Sequence, residues 1–168
     1  LGKVVALKAF QAGPSIGDEP VQRFQREARV VASMRHPGIV AVHDVGAVGP
    51  THWFTMDLVE GCTLDEWVAT RPPREDVLAV LEKAARAVGH AHAHGVVHRD
   101  LKPTNLMVRA GAEPMVMDFG LAKRLTGDTP DASLTQSGAV FGTPAYMAPE
   151  QAAGRIREVG PGSAVYAL

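Results

Sequence analysis

The segment VVHRDLKPTN (96–105) places basic residues, an acid and an amide directly after an apolar pair. Its acid, Asp100, follows VVH, and a second acid, Asp118, ends the apolar run PMVM. Mg²⁺ takes oxygen ligands from one or two carboxylates and from the phosphates of its substrate. Two acids and the amide of Asn105 at predicted strand ends, together with two lysines, therefore suit the binding of a metal-bound polyphosphate.

Lys8 and Glu27 are charged residues at positions predicted to be partly buried. Residues 3–10, KVVALKAF, alternate as in a β-strand, so Lys8 shares a face with Ala6. Glu27 lies three residues after Phe24, beside the apolar stripe of a predicted helix. An unpaired charge at either position would be strongly destabilising, which predicts an ion pair between the two.

The elements that position these residues follow from periodicity and turn signals. The first strand leads through a turn-rich segment to the helix, which we expect to end at about residue 35. Further predictions are strands at 38–46 and 52–59, a long helix at 75–94 and a hairpin of 105–108 with 114–117. This order predicts an α+β chain with a small sheet-based lobe and then a helical lobe. A small ligand would bind in the crevice between them.

Composition restricts the function classes. The chain has 168 residues, 46% hydrophobic and 21% charged, with a formal net charge of −1. These values are typical of a globular protein and give no electrostatic footprint for nucleic acid. A single cysteine, Cys62, excludes an internal disulfide, and no apolar run approaches membrane-spanning length. Because the chain begins inside a strand-like run and without Met, we interpret it as a piece of a longer protein.

Four segments resemble the motifs of serine/threonine protein kinases of the eukaryotic-like type found in bacteria. They are VALK (5–8), HRDLKPTN (98–105), DFG (118–120) and GTPAYMAPE (142–150). All four occur in the family's order, with Glu27 between the first two. The resemblance implies a partial bilobal protein-kinase-like fold, with part of the N-lobe at 1–60 and part of the C-lobe at 61–168.

The resemblance also implies the roles of the catalytic residues. Asp100 would accept the proton of the substrate hydroxyl, and Lys102 would reach the γ-phosphate. Lys8 would hold the α- and β-phosphates and pair with Glu27. Thr143 would orient Asp100 and Lys102. A lysine at position 102 is the serine/threonine variant of this loop.

The implied cofactors are ATP and Mg²⁺. Asn105 and Asp118 would hold the metal. Ala6 and Met107 would sandwich the adenine, and Met56 would close the back of its pocket. Asp57 and Val59, between the lobes, would offer the adenine their backbone groups.

Regulation by phosphorylation is implied by Arg99, which comes directly before Asp100. The segment 123–142 is long and rich in Thr, Ser, Gly and Asp, and a loop of this length is usually functional or mobile. A phosphate on it would bring a charge of roughly −2 that can pair with Arg99. The candidate sites are Thr135 and Ser137.

The implied partners are a protein substrate with Ser or Thr and a second kinase molecule, in a dimer that would autophosphorylate. Neither nucleic acid nor a membrane segment is expected for this chain. The expected location is the cytoplasm, either free or as the cytoplasmic part of a membrane-tethered protein.

Two departures from the family favour an alternative, a non-catalytic kinase-like binding module. The first strands and the glycine-rich loop of the family would lie before Leu1. In GSAVYAL (162–168) the family carries an Asp that supports the catalytic loop, where this chain has Ala164. Glu150 would lack its usual arginine partner. We therefore expect this fragment alone to be poorly folded and nearly inactive.

Two other features have simpler explanations. His90 and His94 lie one helical turn apart, as in a metal site, but no third ligand is placed nearby in the sequence. We interpret them as the end of a helix. Cys62 is interpreted as a small buried residue that fills space in the core and not as a reactive thiol, because no base stands next to it in sequence.

Overall fold

The structure, a computed structural model, describes residues 2–11, 18–119 and 144–168. The elements in the first part of the chain are β1 (Val5–Gln11), α1 (Asp18–Ser33), β2 (Val42–Val48) and β3 (Thr51–Asp57). They are followed by β4 (Cys62–Thr63), α2 (Leu64–Ala69), α3 (Arg74–Ala93), β5 (Leu106–Arg109) and β6 (Glu113–Val116). The last helices are α4 (Pro149–Ala152) and α5 (Pro161–Ala167), and short 3₁₀ turns occupy 103–105, 144–146 and 156–158.

Two antiparallel sheets divide the strands between the two parts of the chain. The first sheet has the order β1-β3-β2, and the second has the order β4-β5-β6. In β1 the side chains of Ala6, Lys8 and Phe10 are half-buried while those between them are exposed, as the alternation predicts. The first sheet ends at Asp57 and the second begins at Cys62. The predicted lobe boundary at residue 60 stays a prediction.

The two long helices bury one apolar stripe each. In α1 the stripe consists of Phe24, Ala28 and Val31, each at most 2% exposed. In α3 it consists of Val80, Ala84, Ala87, Val88 and Ala91. The α3 helix ends at Ala93, and Gly95, two residues later, has a φ of 75°, a left-handed conformation that glycine adopts without a Cβ clash. These stripes form one core with residues of both sheets.

A short backbone connection joins the two parts of the fold beside this core. Ile39 forms a parallel bridge with Val116. The amide of Val40 donates to Val116 O at 3.0 Å, and the amide of Val116 donates to Gly38 O at 2.8 Å. The strand predicted at 38–46 therefore begins four residues later than expected, because residues 38–40 pair with β6.

Candidate active site

His98 anchors the loop that carries the predicted catalytic residues. Its side chain is fully buried, and its ring lies 4.9 Å from that of Phe119. Nε2 lies 2.6 Å from Met117 O, and the amide of Asp100 lies 3.3 Å from Nδ1. A carbonyl oxygen can only accept and an amide can only donate, so the proton is on Nε2 and the lone pair on Nδ1. The ring therefore fixes both the start of the loop and the end of β6.

Asp100, Lys102 and Asn105 form one polar group. Lys102 Nζ lies 3.3 Å from Asp100 Oδ2. Asn105 Nδ2 donates to Asp100 O at 2.7 Å and to Asp100 Oδ2 at 3.2 Å. Both charged side chains of this group keep about a quarter of their surface exposed, 22% for Asp100 and 24% for Lys102. A carboxylate held in this way is oriented by its neighbours and still open to a substrate.

Asp118 meets Lys8 where β6 ends. Lys8 Nζ lies 2.7 Å from Asp118 Oδ2, which joins the first sheet to the second. The amide of Met117 donates to Asn105 O at 3.0 Å, so Asp118 is also held next to the predicted catalytic loop. The five charged or amide residues predicted to act together are thus connected; they are Lys8, Asp100, Lys102, Asn105 and Asp118.

The donor set around Asp118 fits a magnesium ion. Asp118 Oδ1 is buried and, within the described part of the chain, has no hydrogen-bond partner. A buried carboxylate oxygen without a partner is costly, and a hard cation would satisfy it. The amide nitrogen of Asn105 is engaged with Asp100, which leaves the side-chain oxygen as the end of that amide suited to a metal.

Two residues of the site have a left-handed backbone. Arg99 has a φ of 62° and Asp118 a φ of 55°. Such a conformation costs a non-glycine residue on the order of 1–3 kcal/mol and is concentrated at functional sites. Arg99 Nε is buried and has no partner among the described residues.

The residues predicted to contact adenine lie on both sheets. Ala6 and Met56 are cross-strand partners in β1 and β3, and Met107 lies on β5 opposite Thr63. All three side chains are half-buried, as is Val59. Their role in binding adenine stays a prediction.

Asp57 is bound by a lysine and a histidine at the end of β3. Its carboxylate lies 2.7 Å from His43 Nε2 and also accepts a hydrogen bond from Lys3. The bond from Lys3, and after it that from His43, holds the pKa of Asp57 below its ordinary value against the opposing effect of burial. Its amide donates to Ala41 O at 2.9 Å. Of the two backbone groups of Asp57, the carbonyl is therefore the one left to meet adenine.

The roles of four other predicted residues stay predictions. Glu27 lies half-buried on α1, and its ion pair with Lys8 stays a prediction. Thr135, Ser137 and Thr143 lie outside the described residues, as does the glycine of the DFG segment.

Gln151 is a residue of the site that sequence reasoning missed. From α4 its Nε2 donates to Arg99 O at 2.8 Å, and its Oε1 accepts from the amide of Ala148 at 3.2 Å. Gln151 and Arg99 are 52 positions apart in sequence, and neither periodicity nor a motif predicts a contact between them. His98 could have been recognised as buried, because it directly follows two apolar residues.

Glu150 has a hydrogen-bond partner other than the arginine that is usual in the family. Ser163, buried at the start of α5, donates its hydroxyl to Glu150 Oε1. This hydrogen bond is the main reason that the pKa of Glu150 lies below its ordinary value. Ala164, next to Ser163, is buried at 4% exposure and contributes no polar group.

The histidines at the end of α3 form a ring cluster with a residue that sequence reasoning did not include. The ring of His36 lies 4.9 Å from that of His90, which lies 4.4 Å from that of His94. His36 Nδ1 accepts the amide of Gly38, and His94 Nδ1 bonds to His90 O. Within the ranges that the structure describes, no three His, Cys, Asp or Glu residues are placed to hold a metal ion. Cys62 is half-buried and free.

One depression of about 440 Å³ lies on the outer face of α1, away from the residues just described. Its lining consists of Gln22, Gln25, Arg26, Arg29, Val30 and Ser33. Of the helices in the described ranges, none is long and apolar enough to cross a bilayer.

Comparison with known proteins gives the same family throughout. The Protein kinase domain family matches residues 1–168. The serine/threonine-protein kinase PknA of Mycobacterium tuberculosis is 40% identical over 176 residues, which cover 100% of this chain and 39% of PknA. The probable serine/threonine-protein kinase PknB of Lactococcus lactis is 36% identical over 154 residues, 90% of this chain and 24% of PknB. The chain thus spans well under half the length of these curated relatives.

Solved structures agree with the fold class. The crystal structure of the Mycobacterium tuberculosis PknI kinase domain superimposes with a TM-score of 0.72 at 32% identity, covering 97% of this chain and 59% of that one. The apo form of PpkA-294 matches with a TM-score of 0.74 at 22% identity, which supports the fold alone. The predicted α+β, bilobal and partial architecture is confirmed.

Proposed function

Because the chain belongs to the Protein kinase domain family, we propose that the protein transfers the γ-phosphoryl group of ATP to a serine or threonine hydroxyl of a protein substrate. The observation that carries this proposal is the connected set around Asp118. Lys8 lies 2.7 Å from one carboxylate oxygen, and the second oxygen is buried without a hydrogen-bond partner among the described residues. A cation and a metal-binding oxygen side by side suit a metal–triphosphate complex.

In the proposed reaction Asp100 orients the substrate hydroxyl and accepts its proton. The hydroxyl oxygen forms the new bond to the γ-phosphorus while the bond from that phosphorus to the β-γ bridging oxygen breaks, which releases ADP. Because this transition state is loose, positioning and charge stabilisation dominate over nucleophile activation. Asn105 holds the Asp100 carboxylate and backbone in place, as its two hydrogen bonds allow.

Each of the two lysines would neutralise part of the negative charge on the phosphates of ATP. Lys102, whose Nζ lies 3.3 Å from the Asp100 carboxylate, would meet the γ-phosphoryl group as it leaves ADP. Lys8 would hold the α- and β-phosphates beside Asp118. A bound Mg²⁺, held by Asp118 Oδ1 and the side-chain oxygen of Asn105, would neutralise charge on the phosphates.

The remaining site residues belong to the same proposal. Thr143 would orient Asp100 and Lys102, and Glu27 would pair with Lys8. The adenine would be enclosed by residues of both sheets and the connection between them; these are Ala6, Met56, Asp57, Val59 and Met107. The N-lobe part of the chain would be 1–60 and the C-lobe part 61–168.

Control by phosphorylation is proposed through Arg99. Its Nε is buried and has no partner in the part of the chain that the structure describes, which supports an anion partner such as a phosphate on Thr135 or Ser137. Such autophosphorylation would take place in a dimer of the kinase, in the cytoplasm or on the cytoplasmic side of a membrane anchor. Phosphopeptide mapping after incubation with ATP would show modification at these positions, and two unmodified sites would contradict this part of the proposal.

The experiment that tests the function measures transfer of labelled phosphate from ATP to casein and to the protein itself, in the presence of Mg²⁺. The full-length protein should be active, and Asp100→Asn should lower kcat on the order of 10²–10⁴-fold, since that is the usual contribution of a general base. Asp65→Asn, an exposed aspartate on α2, serves as the matched control and should leave the rate unchanged.

A non-catalytic kinase-like binding module is the second candidate. The buried Ala164, where the family resemblance expects an Asp, favours it. ATP binding without transfer by the full-length protein would support the module and exclude the enzyme. Equal rates for the wild type and Asp100→Asn would have the same consequence.

A further inference from the structure

The peptide unit between Arg99 and Asp100 is held at both of its polar atoms. Its carbonyl, Arg99 O, accepts a hydrogen bond from Gln151 Nε2 at 2.8 Å. Its amide, Asp100 N, donates to His98 Nδ1 at 3.3 Å. A peptide plane fixed on opposite sides cannot rotate, and the direction of the Asp100 side chain is set by that plane. This matters because Arg99 is in the left-handed conformation, with a φ of 62°, which its own side chain does not favour.

The orientation of the Gln151 amide is determined by its partners. The amide of Ala148 can only donate, so it must face the oxygen of the glutamine side chain. Arg99 O can only accept, so it must face the nitrogen. The side chain thus connects the beginning of α4 with the catalytic loop through one donor and one acceptor.

The α4 helix is itself held by a hydrogen bond from α5. Glu150, the neighbour of Gln151, accepts a hydrogen bond from the hydroxyl of Ser163 on α5. Ala164 lies buried beside that serine and has no polar side-chain atom to offer the catalytic loop. The hydrogen bond that the catalytic loop receives from this part of the chain therefore comes from α4, where Gln151 donates to Arg99 O.

We propose that Gln151 is a positioning residue for phosphoryl transfer, which holds the Arg99–Asp100 peptide, and with it the Asp100 carboxylate, in the catalytic orientation. The inference rests on the proposed kinase function for its effect on rate, but the positioning itself is a property of the fold.

Three variants of the full-length protein separate positioning from helix capping. Gln151→Glu keeps the oxygen that accepts from Ala148 but places a carboxylate oxygen against Arg99 O. Gln151→Met removes both hydrogen bonds at similar length. The control is Glu66→Met, because Glu66 Oε2 accepts the amide of Thr63 at the start of α2 at 2.9 Å, with no bond to the catalytic loop.

Two measurements are made on each variant: kcat and KM for ATP, and residue-resolved hydrogen exchange of the Asp100 amide under native conditions. Both Gln151 variants should lower kcat about tenfold with KM for ATP within twofold, since small misplacement of a reacting group costs rate and not binding. The Asp100 amide should exchange about ten times faster in both. Glu66→Met should change neither quantity.

The proposal is overturned if Gln151→Glu behaves as the wild type, or if Glu66→Met shows the same losses as Gln151→Met, since helix capping alone would then explain the effect. If the wild type transfers no phosphate, the proposed function fails, and the exchange rates still decide whether Gln151 positions the loop.

Discussion

The two sides of the site hold their functional groups by different means. On the catalytic-loop side, residues 98–119, the groups are fixed through backbone atoms: His98 binds Met117 O and the Asp100 amide, and Asn105 binds Asp100 O. On the sheet side, Lys8 projects from β1, whose other face is exposed, and meets Asp118 while keeping 39% of its side-chain surface in solvent. The first side is built for fixed geometry and the second for charge delivered by a flexible side chain.

This difference corresponds to the chemistry proposed for each side. A proton acceptor and metal ligands act only within narrow distances, and preorganised groups need no rearrangement during the reaction. A lysine that holds phosphates acts as a compact point charge on a flexible stem and tolerates small displacements. Removing an anchoring residue such as His98 on the catalytic-loop side should therefore lower stability. Removing Lys8 on the sheet side should lower activity with little change in stability.

The largest effect is expected from Asp118→Asn, which keeps the shape of the side chain but removes its charge. Phosphoryl transfer should fall on the order of 1000-fold, equivalent to about 4 kcal/mol, because a carboxylate ligand of the metal is lost. Initial rates over a range of Mg²⁺ concentrations measure this, with Asp65→Asn as the control. A loss smaller than tenfold would show that Asp118 is not a metal ligand.

Next is His98→Ala, which should lower the free energy of unfolding by about 3 kcal/mol. The substitution leaves a cavity at a fully buried position and removes the partners of Met117 O and the Asp100 amide. Urea denaturation measures the change. His94→Ala, at an exposed position on the ring cluster, should change it by less than about 1 kcal/mol. Equal losses in the two variants would remove the special role of His98.

Lys8→Met should give the reverse pattern. We expect a loss of about 100-fold in rate, comparable to removing one preorganised donor from an active site. Its unfolding free energy should change by less than about 1 kcal/mol, because the ion pair with Asp118 is partly exposed. Urea denaturation and rate measurements on the same preparation test both parts. A stability loss as large as that of His98→Ala would erase the contrast between the two sides.

The smallest expected effect is a dependence of stability on pH near the ring cluster. Burial, and after it the neighbouring His90, holds the pKa of His36 below its ordinary value of 6.5. Burial lowers the pKa of His92 in the same direction. The unfolded chain then binds protons more readily than the folded one, so stability is complete above about pH 6.5 and declines as the pH falls below it.

Thermal unfolding at a series of pH values from about 7.5 to 5.5 tests this dependence. His36→Gln should flatten the decline, because it removes one of the groups whose pKa is lower in the folded chain than in the unfolded one. Identical slopes for the wild type and the variant would contradict the assignment. Since His90 and His94 belong to the same ring cluster, His94→Gln is the matched comparison.

Local pattern was sufficient to predict much of this fold and part of its site. The alternation of β1 and the stripes of α1 and α3 depend on residues close in sequence, and these predictions were correct within a few residues. Asp100, Lys102 and Asn105 share one loop, so their proximity could be expected from spacing alone.

Contacts between distant segments were not predictable in the same way. Gln151 reaches Arg99, and Ser163 reaches Glu150, through the placement of short helices that have no periodic signal of their own. The start of β2 was placed four residues early, because the apolar residues at 38–40 pair with β6 by a connection that alternation cannot reveal. A polar side chain acquires such a role from tertiary packing, not from its neighbours in the chain.

The bridge between Ile39 and Val116 has a mechanical consequence. The chain passes between the two sheets at 57–62, and this bridge, with hydrogen bonds of 2.8 and 3.0 Å on either side, ties the loop after α1 to β6 at a second place. These two backbone attachments define an axis, and a rotation of the first sheet that preserves both would turn about the line through them. Residues 38–40 belong to one of the two attachments and would move least in such a rotation.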